Sequence, residues 1–265
     1  MNIQDPKFLA QVEQAVREAG QIFYDRTKVS HMKHKGVTDF VTEVDLSVQT
    51  FLKERLAQLA PEVQLMGEEK DNSGLDFEKP MWILDPVDGT MNLVHGFRHS
   101  AVSLALADRG QVELGLVYDP YAGELFSARR GGGAFVNGEP IHVSGAKRLA
   151  DCLVDVGTNP SQREAADRTF RCLRAVYDRC HDIRRVGAAS VDLCYVAAGR
   201  LDAYVENSLK PWDYAAGLLI VQEAGGAVLT ADGAAPSLKM GGDVMGTNGA
   251  VTEELLAVLR QAANG

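Results

Sequence analysis

The run Trp82-Ile-Leu-Asp-Pro-Val-Asp-Gly-Thr90 ends an apolar strand in two carboxylates three residues apart and follows them at once with Gly89 and Thr90. Burying Asp85 and Asp88 together is costly unless a positive charge sits between them. Hard divalent ions such as Mg²⁺ take carboxylate and carbonyl oxygens, and an Asp-Gly-Thr turn can open a helix whose free N–H groups face an anion. The chemistry indicated is metal plus phosphate. Taken alone, the nine residues also fit an ordinary surface turn, since Asp, Pro and Gly each favour turns. Two further acidic positions speak for a cage: Gly67-Glu68-Glu69 follows Val63, Leu65 and Met66, and Pro211-Trp212-Asp213 opens an Ala/Gly-rich helix.

With these runs in this order, together with Asp39-Phe-Val-Thr-Glu-Val-Asp45, Trp82 to Gly96, Glu124-Leu-Phe to Asn137-Gly138, Gly187-Ala188-Ala189 and Trp212-Asp213 to Gly226, the chain resembles the inositol monophosphatases. That family belongs to the Mg²⁺-dependent, lithium-sensitive phosphatases that also include fructose-1,6-bisphosphatases and nucleotide 3′-phosphatases. The resemblance implies an α/β (α+β) fold, the layered αβαβα sandwich of sugar phosphatases, and a homodimer inhibited by lithium. It implies that Glu68, Asp85 and the Val87 carbonyl hold a first Mg²⁺ and that Asp85, Asp88 and Asp213 hold a second, with a third, weaker ion near Glu68. A water touching Glu68 and the Thr90 hydroxyl is then the nucleophile, with Asp45 accepting a hydrogen bond from Thr90. The N–H groups of Gly89 and Thr90 grip the phosphate, because glycine allows close approach and a helix start has unpaired donors. Asp88, Asp213, Glu206 and the backbone at Ala189 would hold the polyol, and Asp88 would also stand near the leaving group.

Two of these positions have a second reading. Thr42-Glu-Val-Asp45 fits a capping-box helix start, in which Asp45 stabilises the first turn. Glu206 fits a solvated strand end. One departure stands beside the motif: the family's commoner Thr-Asn-Phe after Asp-Gly-Thr is Met91-Asn92-Leu93 here, while Asn92 and His95-Gly96 are kept. The Asn-x-x-His-Gly form favours inositol phosphatases over nucleotide 3′-phosphatases.

Strands and helices with cores of their own must position such a cage. Phe8, Leu9, Val12, Val16, Ala19, Ile22 and Phe23 recur at helical spacing, and Leu46, Phe51, Leu52, Leu56 and Leu59 outline a second helix; both stripes read as core faces. Between them, His31, Lys33, His34, Lys35 and Gly36 precede a β-branched run, a hairpin or loop that the resemblance implies closes over the active site. His31 and His34 lack further nitrogen or sulfur ligands nearby and read as loop residues rather than zinc ligands. Ser100 to Ala107 alternates, Val112 to Tyr118 follows, and Asn137-Gly138 signals a hairpin, together an antiparallel meander. From Cys152 the pattern becomes strand, helix (163–177), short strand, helix (190–198), strand (201–206), helix, strand (227–230) and a final helix through Leu255 to Leu259. Trp82 and Trp212 read as walls beneath the site. Glu69 reads as a hydrogen-bonded support for its neighbour, because successive strand side chains point oppositely.

At 265 residues and 46% hydrophobic content the chain can bury a large core. It divides into an N-terminal lobe, 1–145, with most candidate ligands, and a C-terminal lobe, 146–265, supplying Asp213 and substrate contacts; together they make one catalytic unit. The polar start and the lack of an apolar run of membrane-spanning length predict a soluble cytoplasmic protein. The formal charge of −9 argues against general nucleic-acid binding, while bound cations would still admit an anionic substrate. Cys152, Cys172, Cys180 and Cys194 lack metal-binding spacing and read as small core residues. The function that follows is Mg²⁺-dependent hydrolysis of inositol 1-phosphate and related small phosphomonoesters. The alternatives are a phosphatase of fructose-1,6-bisphosphate or a nucleotide 3′-phosphate, and a regulatory binding protein on the same scaffold.

Overall fold

The computed structural model of the protein describes residues 3–34 and 40–263; Lys35, Gly36 and Asp39, which the loop and motif readings include, lie outside the described residues. Helix α1 (Pro6–Gly20) starts where the Asp5 carboxylate accepts from the Lys7 N–H and Pro6 has no amide to satisfy. Its buried face is Phe8, Val12, Ala15, Val16 and Ala19, and a 3₁₀ turn (Gln21–Tyr24) carries Phe23 into the same core. A short helix α2 (Arg26–Ser30), which no hydrophobic spacing announces, is capped by the Asp25 carboxylate. Strands β1 (Met32–His34) and β2 (Phe40–Thr42) pair antiparallel, giving the hairpin, and α3 (Glu43–Leu59) follows directly.

The core face of α3 is Val44, Val48, Leu52 and Leu56, one residue in four. Leu46 corrects the sequence reading: it is 42% exposed. Two positions along a helix turn a side chain by about 200°, so Leu46, two positions from both Val44 and Val48, faces solvent. Phe51 and Leu59 are only half-buried at the edge of this core.

Among the described residues the remaining strands form a seven-stranded and a five-stranded sheet. In the larger, β3 (Gln64–Gly67) runs parallel to β4 (Met81–Asp88). After the short helix α4 (Thr90–His95), β5 (Ala101–Asp108), β6 (Gln111–Asp119), β7 (Glu124–Arg129), β8 (Ala134–Val136) and β9 (Glu139–Pro140) continue as an antiparallel meander in chain order. Asn137 and Gly138, both at positive φ (50° and 84°), make the anticipated hairpin turn. β5 is buried on both faces rather than half-solvated. Trp82, Leu84, Val102, Leu104, Leu106, Leu114 and Leu116 pack on α1 and α3, while Met81, Ile83, Ala101, Ala105 and Ala107 face inward. The inward residues of β5 are small because a helix lies close: a Cβ on Gly115 would come within 2.7 Å of the Ala216 carbonyl oxygen.

The second sheet holds β10 (Leu153–Val156), β11 (Asp182–Arg184), β12 (Ala203–Leu209), β13 (Ala227–Thr230) and β14 (Gly242–Thr247) in the order β11-β10-β12-β14-β13. Helices α5 (Ala166–Tyr177) and α8 (Thr252–Ala263) cover its outer face, sharing a core with Val154, Val156, Ala203, Val205 and Met245. Helices α6 (Ala189–Ala197) and α7 (Pro211–Glu223) fill the space between the sheets. Enclosed on both sides, they are apolar nearly all round. Helices, sheet, helices, sheet, helices make the layered αβαβα sandwich. All four cysteines are free; Cys152, Cys172 and Cys194 are buried and Cys180 half-buried.

Candidate active site

The ladder of β4 is irregular where the two aspartates sit. Asp85 pairs with Ser103 and Asp88 with Ala101, so three steps along β4 match two along β5. Strand side chains alternate, and residues three apart would ordinarily face opposite ways. The bulge inserts one residue and returns Asp88 to the side of Asp85. Ala101 and Ser103 are two apart and share a face; both carboxylates therefore lie with Met81 and Ile83 on the inner side of the sheet. Pro86, with no N–H to pair, occupies the interrupted stretch. Asp85 Oδ1 accepts from the Val87 N–H at 3.0 Å.

Beyond the bulge, the Thr90 hydroxyl lies 2.9 Å from the Val87 carbonyl oxygen and 3.2 Å from Asp45 Oδ1. Asp45 is wholly buried. Its Oδ2 accepts from the Thr42 N–H at 2.8 Å and the Thr42 hydroxyl at 2.5 Å, and the same hydroxyl accepts from the Val44 N–H at 3.1 Å. The capping box is thus formed, and one carboxylate both starts α3 and meets Thr90. Gly89 caps α4 at φ +84°, where a Cβ would stand 2.9 Å from the His99 carbonyl oxygen and 3.1 Å from the Ala188 Cβ. Only glycine fits that turn.

The second sheet and its helices complete the surroundings. The Ser190 N–H and hydroxyl both donate to Asp88 Oδ2, at 2.7 and 2.5 Å, which brings the start of α6 and buried Ala189 against the aspartate turn. Asn92 Nδ2 lies 2.8–3.2 Å from the carbonyl oxygens of His99, Val186 and Gly187. Asp213, in the first turn of α7, accepts at Oδ2 from the Lys210 N–H at 2.7 Å. Glu68 extends the β3 ladder through its N–H to the Leu84 carbonyl at 3.3 Å. Gln49 holds the next residue by both backbone groups, accepting from the Glu69 N–H at 3.1 Å and donating to its carbonyl at 2.7 Å. Glu206, half-buried on β12, accepts from the Tyr204 hydroxyl. A Cβ on Gly157 would meet its Oε2 at 2.1 Å.

These carboxylates share one electrostatic field. Burial pushes the Asp85 carboxyl well above the usual range, and Glu68, Asp88, Asp213 and Asp45 each push it further the same way. Asp213 is raised by burial, against the Lys210 N–H, with Asp88, Glu68 and Glu206 adding to the rise. Asp88 is raised by burial while the Ser190 bonds oppose the shift. Glu206 is pushed up to about 7, by burial first, against the Tyr204 hydroxyl and the Arg185 charge. Among the described residues no three His, Cys, Asp or Glu side chains, as they stand, are grouped so that they could hold a metal ion. One oxygen each of Asp85, Asp88 and Asp213 turns instead to a backbone or hydroxyl donor. Like charges crowded at low dielectric hold apart from one another, and a divalent cation is the partner that such a set of hard oxygen donors fits.

Sequence reading missed several residues here. Ser190, Arg185 and the pair His99–Asp192 carry no motif. A signal existed for Asp192, a lone charge in an otherwise apolar helix, since aspartate is almost never fully buried without a partner. Trp82 is a correction: it alternates with Ile83, shares a face with Leu84, and packs on α1 and α3 with its back to Asp85. Trp212 does lie on the inner side, with its carbonyl 3.3 Å from the Ser103 hydroxyl. His31 Nδ1 stands 3.2 Å from Glu43 Oε2, an exposed pair.

A model of the inositol monophosphatase family matches residues 5–264. "Nus factor SuhB" of Pseudomonas aeruginosa is 40% identical over 242 residues, covering 88% of each chain. "Inositol-1-monophosphatase" of Rhizobium meliloti is 38% identical over 236 residues, covering 88% of this chain and 89% of that protein. Among solved structures, an IMPase/NADP phosphatase complexed with NADP and Ca²⁺ superposes with a TM-score of 0.86 at 29% identity, covering 97% of this chain and 96% of that one.

Proposed function

The chain belongs to the inositol monophosphatase family and is a phosphatase of that family, and from that premise we propose that it is a Mg²⁺-dependent hydrolase of inositol 1-phosphate and related small phosphomonoesters. The observation that carries this reading is the shared inner face of Asp85 and Asp88, restored by the bulge, in a field where the carboxylates of Glu68, Asp88, Asp213 and Asp45 all act on Asp85. Glu68, Asp85, Asp88, Asp213 and the Val87 carbonyl would hold the ions, two to three in number. Bound Mg²⁺ would neutralise charge on the phosphoryl oxygens and make water a nucleophile near neutral pH.

The chain's own groups do the rest. Glu68 and the Thr90 hydroxyl orient the attacking water, and Asp45 fixes that hydroxyl while itself anchored by Thr42. The Gly89 and Thr90 N–H groups meet the phosphate at a turn with no side chain in the way. Ser190 secures one oxygen of Asp88. Glu206 takes a polyol hydroxyl, helped by Asp88, Asp213 and the backbone at Ala189. Its position beside Tyr204 and under the field of Asp88 favours this role over that of a solvated strand end.

Relatives named Nus factor favour a second reading, a regulatory binding protein on the same scaffold. The neighbour complexed with NADP favours a larger phosphorylated substrate. The test is phosphate release from inositol 1-phosphate, fructose-1,6-bisphosphate and adenosine 3′,5′-bisphosphate, each with Mg²⁺, with chelator and with Li⁺. Mg²⁺-dependent, Li⁺-sensitive release led by the inositol ester supports the first reading. Preference for another ester keeps the mechanism and changes the substrate; no release from any moves the weight to the binding protein. Among the described residues no helix is long and apolar enough to cross a membrane. A homodimer in the cytoplasm belongs to the same proposal.

A further inference from the structure

Behind the acidic face lies a set of ionisable groups that the proposed chemistry does not use. Val154 and Val156 of β10 belong to the outer core, so Asp155 between them points inward, paired in register with Tyr204 of β12. It is completely buried. Its Oδ1 accepts from the Val156 N–H at 2.6 Å, while Oδ2 has no donor from the protein. It faces Asp192 of α6. Asp192, also buried, places Oδ1 2.9 Å from His99 Nε2 and Oδ2 3.2 Å from the Ala188 N–H. Two residues beyond Ala188, Ser190 holds Asp88.

Two buried carboxylates side by side do not both ionise, and one proton between them turns repulsion into a hydrogen bond. Asp155 Oδ2, enclosed and without a donor, is where that proton fits. We propose that Asp155, Asp192 and His99 are positioning residues: a proton on Asp155, donated to Asp192, fixes Asp192 against His99 and the Ala188 N–H, and thereby holds the first turn of α6 from which Ser190 aligns Asp88. The groups facing this chain are Asp88, Glu206, Tyr204 and Asp119, with Cys194 beside Asp192, the Tyr195 ring edge-on to His99, and Arg185 acting on Glu206. Burial, and then Asp192, push the Asp155 carboxyl up to about 7, in keeping with a proton held there.

The catalytic part rests on the phosphatase reading; the proton does not. Carboxyl ¹³C titration of the full-length protein without metal is expected to show Asp155 still protonated as the pH enters the neutral range. Titration in the ordinary aspartate range overturns the proposal. Asp155→Asn supplies an amide donor in place of the proton, so it retains kcat and keeps it at alkaline pH where the wild type declines. Asp155→Ala supplies none and loses about tenfold in kcat with little change in KM, the cost of one lost hydrogen bond. Should the alanine variant fail to fold, the titration and the asparagine variant decide; asparagine doing the damage predicted for alanine also overturns the idea. Absence of phosphate release from every ester would sink the phosphatase reading, leaving the titration to judge the shared proton.

Discussion

Gly89→Ala, set against Gly96→Ala, tests whether the aspartate turn is fixed by contact and not only by backbone preference. Both glycines are left-handed, at φ +84° and +67°. The strain of a side chain in that region is common to both, about 1–2 kcal/mol. The surroundings differ. At Gly96 a Cβ meets nothing within 4 Å, whereas at Gly89 it meets the His99 carbonyl oxygen at 2.9 Å, the Ala188 Cβ at 3.1 Å and the Gly187 carbonyl oxygen at 3.3 Å. Those neighbours cannot easily yield, because Asn92 Nδ2 holds both carbonyl oxygens at 2.8 and 3.2 Å. Overpacking there adds about 1–3 kcal/mol, so Gly89→Ala costs about 2–5 kcal/mol in all. A turn displaced by a few tenths of an ångström would lose roughly tenfold in kcat, given that 1 Å of misplacement can cost a hundredfold. Urea unfolding of both variants and steady-state phosphate release are the assays. Gly96→Ala should keep wild-type turnover at the smaller stability cost. Equal losses of stability and turnover in the two variants would refute the contact argument.

Asp88→Asn should keep the fold and remove nearly all turnover; unchanged activity would sink the site assignment. Thr42→Ala removes a donor from Asp45 and the cap of α3, and should cost about 1 kcal/mol in thermal unfolding as well as lowering kcat through a less well-held Thr90. The raised carboxyl of Glu206 gives a pH signature. A folded pKa above the unfolded one means a stabilising contribution that is complete below the unfolded value and lost as pH rises through about 7. Glu206→Gln should therefore flatten the decline of the urea midpoint between about pH 4.5 and 7, modestly, because the side chain is partly solvated. A slope equal to that of the wild type would contradict the shift.

The fold was legible where physics is local. The stripe from Phe8 to Phe23, the Asn137-Gly138 turn and the apolar run into Asp85 each follow from spacing or backbone preference. β14 was not foreseen: Gly242-Asp-Val-Met-Gly-Thr247 has two glycines and little β-branching, and becomes a strand because β12 and β13 present ladders on either side of it. Leu46 and Trp82 misled because hydrophobic character alone does not state which side of an element a residue occupies. The carboxylates were visible as types at spacings, but not the groups that hold them. Ser190 lies 102 residues from Asp88, and Asp192 lies 93 from His99. These contacts between distant segments are made where the first turns of α6 meet the aspartate turn and His99, which no short window of sequence contains.

The bulge in β4 also bears on how this chain can diverge. Where a connection crosses solvent, as between β3 and β4, residues can be gained or lost with little effect on what either strand presents. Between Asp85 and Asp88 chain length sets parity. At this length a regular ladder without the bulge would turn one aspartate toward α1 and α3, into the company of Trp82 and Leu84. The four-residue count from Asp85 to Asp88 and the bulge that absorbs it are together as much a part of the site as the carboxylates themselves.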